Sequence, residues 1–264
     1  LAILALLVLV TPVPEDPLYS NESYLKAAEH ALVAEEFQRA LQFASLVDRK
    51  SQLADKSYLI SGEACTRLQR LDEAIGYYEN ITDAEPEVYL LAQYALAELH
   101  RVQGRWEPAY RAYQKVLEGH PNQPESRERV AFLLGICGQR WESVPHLMNL
   151  IATGRWDLQT LAVLTDVERP IEQYELVDQA FRAEPGDRMV RLSVASHAFL
   201  SGDMQEARRI LEEILEDHPD WTPSHAMLGE VLFQQNALED LVKWNSNLPA
   251  EAENSPTIWY VRGQ

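Results

Sequence analysis

Apolar residues recur along most of the chain at intervals of three, four and seven positions, which is the spacing of one face of an α-helix. After Ala74, for example, they fall at Tyr77, Tyr78 and Ile81. A similar run follows Ala207, and no alternating run bounded by turn residues is long enough to predict a strand. The pattern therefore predicts an all-α protein.

A repeating unit orders these helical segments. Ala40, Ala74 and Ala109 recur in the same sequence setting, and they lie 34 and 35 residues apart. Ala207 stands in that setting further along the chain. Two antiparallel helices per unit cannot bury their apolar faces alone, so we expect each unit to pack on its neighbours and on nothing else.

Glycine and proline predict where the helices of each unit end. Glycine is favoured just after a helix, and it precedes the expected second helix at Gly104, Gly138 and Gly202. Proline cannot continue a helical hydrogen-bond ladder, and we expect it to close the second helix at Pro86, Pro121, Pro185 and Pro219. Trp106 and Trp141 follow two of the glycines, and we expect both to pack in the core between two helices.

The best-formed unit resembles the tetratricopeptide repeat. Tyr58, Gly62, Ala74, Tyr78 and Pro86 stand at the aromatic, small, alanine, aromatic and proline places of that family. The resemblance implies a right-handed superhelical solenoid of about seven helix–turn–helix repeats. The array would cover 18–264, with repeats near 21–54, 55–89, 90–124, 125–153, 154–187, 188–221 and 222–255, and the start of an eighth at 256–264. Repeats four and five depart most from the pattern.

In that family the first helices line a concave face, at the second, fifth, ninth, twelfth and thirteenth residues of each repeat. The resemblance thus implies a groove for a peptide or protein segment, with candidate contact residues Leu25, Glu29, Leu59, Glu63, Arg67, Tyr94, Glu98, Arg101, Glu230 and Phe233. The recurrent glutamates would set carboxylates inside the groove and suit a basic or amphipathic partner. The alternative is that they lie on a solvated face, and Arg67 and Arg101 would neutralise some of them.

The charge of the chain supports a protein partner. There are 23 Lys and Arg against 41 Asp and Glu, a formal net charge of -18, so nucleic acid phosphates would be repelled. The same surface could simply keep the protein soluble.

Signals of chemistry are missing from the sequence. No Gly-rich phosphate loop, CxxC or HExxH motif occurs, and we predict no catalytic residue, no cofactor and no metal site. The two cysteines, Cys65 and Cys137, fall in repeats too far apart for a disulfide and are expected to be small buried residues. The sequence therefore predicts a non-enzymatic protein.

The first residues suggest a membrane segment. Leu1–Val10 carries no polar side chain, and a Pro-rich stretch follows to Pro17. We interpret residues 1–17 as the remnant of an anchor, or of a cleaved signal segment, followed by a spacer. Repeats outside the cytoplasm, or export, would follow, with membrane contact through this segment only. The alternative is a buried or frayed N-terminus in a cytosolic protein.

The end of the chain suggests a piece of a longer protein, because Trp259 and Gly263 have the spacing that opens a tetratricopeptide repeat. The function we expect is an interaction scaffold, as in many anchored or exported bacterial proteins of this organisation. The alternative is the accessory repeat region of a larger enzyme or adhesin whose functional domain lies beyond Gln264.

Overall fold

The computed structural model describes residues 20–155 and 171–264. These residues form fourteen α-helices, one 3-10 helix and no strand, so the predicted all-α class is confirmed. The first eight helices are α1 (Asn21–Val33), α2 (Phe37–Ser45), α3 (Ala54–Arg67), α4 (Leu71–Glu79), α5 (Pro86–Val102), α6 (Trp106–Gly119), α7 (Pro124–Ile136) and α8 (Arg140–Ala152). They are followed by α9 (Ile171–Ala183), α10 (Arg188–Leu200), α11 (Met204–Asp217), α12 (Thr222–Gln234), α13 (Leu238–Ser246), the 3-10 helix (Ala250–Asn254) and α14 (Pro256–Gly263).

Consecutive helices pack against each other in pairs. The pairs include α1 with α2, α3 with α4, α7 with α8, α10 with α11 and α12 with α13. The chain divides into an N-terminal body, which ends at residue 96, and a C-terminal body, which begins at residue 97, so the division falls inside α5. Of the predicted fifth repeat, the structure describes α9, whereas residues 156–170 lie outside the described part of the chain.

In two of these pairs the backbone of the first helix lies very close to an aromatic ring of the second helix. A Cβ atom added to Gly62 of α3 would lie 2.5 Å from the ring of Tyr78 in α4. Gly229 of α12 and the ring of Trp244 in α13 show the same 2.5 Å spacing. Protein interiors are close-packed and have no spare room for a Cβ atom at such a contact. Glycine is therefore required where the ring crosses the first helix.

Several prolines open helices instead of closing them. Pro86 is the first residue of α5, whereas α4 already ends at Glu79, so the expectation that Pro86 closes the second helix was wrong. Pro124 and Pro256 likewise begin α7 and α14. A first-turn proline loses no hydrogen bond, because the N–H at that position has no partner within the helix, and its fixed φ suits the helix.

The core of the N-terminal body consists of small and branched side chains from α1, α2 and α3. Its buried members are Leu25, Ala28, Ala31, Ala40, Ala44, Val47, Ile60 and Ala64. Every contact among these residues joins helices that are neighbours in the chain or one helix apart. The N-terminal body therefore shows the neighbour-only packing that the repeat pattern predicts.

The C-terminal body folds back on itself. Besides their sequence neighbours, α6 contacts α10 and α8 contacts α14. A Cβ atom on Gly104, in the turn before α6, would lie 3.0 Å from the Cα of Ala180. The next residue, Arg105, places its Nε 2.6 Å from a carboxylate oxygen of Glu184. The expectation that each helix pair packs only on its neighbours is wrong for this body.

The fold-back also accounts for the environments of the tryptophans and cysteines. Trp106 is buried as predicted, but Trp141 is 46% exposed, so the expectation that it packs in the core was wrong. Both cysteines are free and buried, as predicted. Cys137 has an additional role, because its thiol donates a hydrogen bond to the carbonyl oxygen of Met189 over 3.3 Å.

Candidate functional site

A cleft of about 700 Å³ opens on the C-terminal body, between the first turns of α8 and the helices α10, α11, α12 and α14. Ligand pockets in proteins commonly have volumes of ~300–1,000 Å³. Its walls combine polar surface with large apolar side chains, namely Trp141, Val144, Leu147, Phe199, Leu200, Met204, Phe233, Tyr260 and Val261. Arg140 and Glu230 contribute charge.

Several of these large side chains are exposed to water. Leu200 is 44% exposed, Phe233 40% and Tyr260 46%, and Trp141 belongs to the same group. Covering such a surface would gain roughly 25 cal/mol per Å² of apolar area removed from water. Contiguous exposed apolar surface with polar groups beside it is typical of protein interaction sites.

Two hydrogen bonds hold the aromatic side chains of the cleft together. The hydroxyls of Ser255 and Thr257, at the start of α14, each donate to the carboxylate of Glu142 over 2.9 Å. Because Glu142 follows Trp141 in α8, these bonds bring α14 against α8. The rings of Trp141 and Tyr260 then lie 5.5 Å apart between centroids, in a tilted arrangement.

The repeat family follows from two matches to known sequence families. Residues 25–89 match one model described as a tetratricopeptide repeat. Residues 91–122 and 190–220 match a second model with the same description. The chain therefore contains tetratricopeptide repeats. The paired packing of the described helices agrees with this assignment.

One solved structure shows the same fold. A tetratricopeptide repeat protein from Parabacteroides merdae ATCC 43184 matches with a TM-score of 0.50 at 14% identity, over 91% of this chain and 96% of its own. The assembly chaperone of RpL4, Acl4, also matches, with a TM-score of 0.32 at 16% identity, over 93% of this chain and 95% of its own. The comparison with curated proteins gave no match.

The cleft residues fall at ligand-facing positions of the tetratricopeptide repeat. Glu230, Phe233 and Gln234 are the ninth, twelfth and thirteenth residues of the seventh repeat. Phe199 and Leu200 are the twelfth and thirteenth of the sixth. All five line the cleft, so the structure brings two of the sequence-predicted contact residues, Glu230 and Phe233, to one site.

The other ligand-facing positions of these two repeats are covered by the chain itself. Met189, Leu192 and Ser196 are the second, fifth and ninth residues of the sixth repeat, and all three are buried. In the seventh repeat Ala226 is buried and Pro223 is partly buried. We call these five residues the covered face.

The turn between α7 and α8 provides part of that cover. A Cβ atom on Gly138 would lie 2.8 Å from the hydroxyl oxygen of Ser196 and would also collide with the terminal methyl group of Met227. The side-chain amide of Gln139 donates to the carbonyl oxygen of Pro223 over 3.3 Å. Glycine at 138 thus serves the left-handed turn, with a φ of 78°, and the close contact as well.

The predicted contact residues of the N-terminal body lie in different environments. Leu25 is buried in the core and has little surface to offer a ligand. Leu59 is partly buried, while Glu29, Glu63 and Arg67 are exposed. The carboxylate of Glu63 lies 3.8 Å from the guanidinium of Arg67, one helical turn away. The exposed three remain a predicted contact surface.

The predicted residues of α5 are less available. Tyr94 is partly buried. Glu98 accepts hydrogen bonds from Arg101 over 2.7 Å, from Arg129 over 3.2 Å and from the phenol of Tyr113. Burial disfavours its charge, but the hydrogen bonds from Arg101 and Tyr113 outweigh burial and lower the pKa of Glu98. Glu98 is thus engaged in an internal network and does not line the cleft.

Several residues that shape the cleft were not among the predicted contact residues. Leu200 and Tyr260 stand at ligand-facing places of the sixth and eighth repeats and could have been found by counting positions. Trp141 and Val144 belong to a second helix, which in an isolated array would face its own pair. Only the fold-back brings these two residues to the site.

Other candidate sites were sought in residues 20–155 and 171–264. No group of three His, Cys, Asp or Glu side chains in these ranges is arranged to hold a metal ion. None of the helices described there is both long and apolar enough to cross a membrane. The predicted anchor, residues 1–17, lies outside the described residues, so the membrane-anchored or exported location stays a prediction.

Proposed function

We propose that this tetratricopeptide repeat protein is a non-enzymatic interaction scaffold that binds a peptide or protein segment at the cleft of its C-terminal body. The observation that supports this most is the coincidence of two features. The cleft carries exposed, large apolar side chains, and Phe199, Leu200, Glu230 and Phe233 among its lining residues stand at ligand-facing positions of the repeat. Such positions are the ones that family members offer to a segment of another protein.

The lining favours a segment that inserts apolar side chains. Trp and Tyr are enriched among residues that dominate binding energy, and Trp141 and Tyr260 form one wall of the cleft. An amphipathic helix with large apolar residues at intervals of three and four would place two such side chains on the same wall. The volume of about 700 Å³ suits a short segment better than a whole domain.

Charge favours a partner segment that also carries basic residues. The formal net charge of -18 attracts cationic segments at long range and speeds their association. Glu230 lies in the cleft and would provide an acidic contact there. This contact would guide the partner, while the apolar cleft provides most of the affinity.

A pull-down from an extract of the source organism tests this proposal. The bait is the chain itself, compared with the double variant Leu200→Ala and Phe233→Ala. The matched control is Leu238→Ala with Val242→Ala, which removes two exposed apolar side chains of α13 that do not line the cleft. Far-UV circular dichroism establishes that all three baits are folded.

The cleft variant is expected to bind the partner about thirtyfold more weakly, because truncating an anchor residue commonly costs ~2 kcal/mol and each ~1.4 kcal/mol is tenfold in affinity. The control is expected to bind as the parent does. Equal retention by the parent and the cleft variant would place the binding site elsewhere.

A further inference from the structure

The ligand-facing surface of the sixth and seventh repeats has a covered part and an open part. Three residues of the covered face, Met189, Ser196 and Pro223, contact the turn between α7 and α8. We call this turn, residues 137–139, the elbow. The open part is the cleft. The two parts belong to the same helices, α10 and α12, and they follow each other along those helices.

We propose that the elbow is an internal ligand of the sixth and seventh repeats, so that the cleft is the uncovered end of a longer groove. Displacing the elbow would then extend the groove to an incoming segment of a partner. This inference rests on the proposed function, because it concerns the regulation of the same binding surface.

The elbow binds the covered face as a peptide would. Its contacts combine hydrogen bonds to backbone carbonyls with apolar contacts, the usual means of peptide recognition. The thiol of Cys137 donates to the carbonyl of Met189 over 3.3 Å, and the amide of Gln139 donates to that of Pro223, also over 3.3 Å. Beyond them, Trp141 enters the cleft and packs on an aromatic ring of α14.

The helix pairs on either side do not depend on the elbow contact for their own packing. The helices α7 and α8 pack on each other, as do α10 and α11. In a repeat array these contacts between sequence neighbours provide the core. Loss of the elbow contact would therefore leave both pairs folded.

Ion pairs beside the elbow fasten the fold-back. The guanidinium of Arg105 contacts the carboxylate of Glu184 at 2.6 Å. Arg188 pairs with the carboxylate of Glu107, and the same carboxylate also binds Arg111. These pairs join the start of α6 to the residues around the start of α10. Substitution of the arginines removes them.

The two native cysteines provide a direct readout. Cys137 is buried at the elbow and points its thiol at α10, so its reaction with a thiol reagent reports opening of the elbow contact. Cys65 is buried in the N-terminal body, in the helix pair α3 and α4, so its reaction reports unfolding of that body. Mass spectrometry of the labelled chain separates the two rates.

The test compares three forms of the full chain treated with an excess of 5,5′-dithiobis(2-nitrobenzoic acid). The first is the parent. The second, which we call the clasp variant, is Arg105→Gln with Arg188→Gln and removes the two arginines that form ion pairs across the fold-back. The third is Arg39→Gln with Arg209→Gln, which removes two arginines that pair within their own helical segments.

We expect Cys137 of the clasp variant to react about tenfold faster than in the parent, because labelling follows the population of the open form. Its Cys65 rate and its far-UV circular dichroism should match those of the parent. The control variant should match the parent in its Cys137 rate, its Cys65 rate and its circular dichroism. An unchanged Cys137 rate, or equal acceleration of both cysteines, would overturn the proposal.

The same assay separates this proposal from the proposed function. The variant Leu200→Ala with Phe233→Ala should lose the partner in the pull-down while its Cys137 rate stays that of the parent. Suppose instead that Leu200→Ala with Phe233→Ala binds the partner as the parent does, while the clasp variant behaves as expected. The cleft is then not the binding site, and the elbow contact is an intramolecular interface and not part of a ligand groove.

Discussion

The turns between paired helices have the same left-handed backbone conformation in the two bodies, but they carry different residue types. In the N-terminal body Glu35 and Gln69 occupy the turns with φ of 60°, a conformation that residues other than glycine seldom adopt. In the C-terminal body Gly104 and Gly138 do so, with φ of 79° and 78°. Later helices approach both of these glycines closely, whereas an added Cβ at Gly202 would meet no atom within 4 Å. The left-handed turn itself therefore does not demand glycine, but the close approach at Gly104 and Gly138 does.

The two bodies also use the same repeat position differently. Glu63 and Glu98 both stand at the ninth place of their repeats. Glu63 is exposed and lies 3.8 Å from one arginine, whereas Glu98 joins two arginines and a tyrosine in a partly buried network. Repeat position thus sets the direction of a side chain, and the layer packed above it decides whether that side chain is free to meet a partner.

The largest expected effect on the free energy of unfolding separates two glycine turns, one with a close neighbour and one without. Gly138→Ala should cost about 1–2 kcal/mol for its left-handed backbone and about 1–3 kcal/mol more for the forced repacking of Ser196 and Met227. Gly202→Ala has the same backbone strain, with φ of 82° and no atom within 4 Å, and should show only the first cost. Urea unfolding of both variants measures the difference. Equal losses would mean that the fold-back does not need glycine.

The next effect concerns the two glutamates. Glu98→Gln should lower the free energy of unfolding by about 1–3 kcal/mol, because a charged acceptor of several buried hydrogen bonds is lost. Glu63→Gln should change it by less than about 0.5 kcal/mol, as expected for an exposed ion pair. Guanidinium unfolding curves of the two single variants provide the comparison. Similar values would show that the network of Glu98 adds nothing beyond a surface pair.

A smaller effect depends on pH and belongs to the C-terminal body. Burial, helped by the nearby Arg127, lowers the pKa of His146 from 6.5 to about 4. A depressed pKa means that the folded state favours the neutral ring, so this contribution is complete above pH 6.5 and is lost as the pH falls toward 4. The melting temperature of His146→Gln should therefore fall less than that of the parent between those two pH values. Parallel decreases would contradict this assignment.

The smallest expected effect on stability concerns Gln69, which occupies a left-handed turn of the N-terminal body. Gln69→Gly relieves a left-handed backbone strain of about 1–2 kcal/mol, while the added freedom of the unfolded chain offsets about 0.5–1 kcal/mol. We expect a net gain of less than ~1 kcal/mol, measured as a rise in the urea midpoint. A loss of stability would show that the side chain of Gln69 contributes packing of its own.

Local sequence patterns were sufficient for the helices and their pairing. Gly62 and Tyr78 stand at the small and aromatic places of the repeat family, and in the structure the backbone at Gly62 lies against the ring of Tyr78. Such features depend on residues within one repeat, where spacing alone fixes which side chains share a face. The ninth and twelfth positions of the seventh repeat likewise placed Glu230 and Phe233 at the cleft.

The fold-back could not be predicted in this way. Glu142 accepts its hydrogen bonds from Ser255 and Thr257, more than a hundred residues later, and neither end of these contacts has a pattern that points to the other. Gly138 was expected only to end a helix, because a close approach by another helix leaves no further mark on the sequence. The exposure of Trp141 was missed for the same reason.

The fold-back has a consequence for how the chain reaches its native state. In a simple repeat array folding can nucleate in one repeat and spread to the next, because every contact is local. Here the contacts of Arg105 with Glu184 and of Glu142 with Thr257 close long loops, which raises the contact order of the C-terminal body and slows its folding. During synthesis on the ribosome, the N-terminal body can complete its structure early, whereas the contacts of α6 with α10 and of α8 with α14 can form only after those later helices emerge.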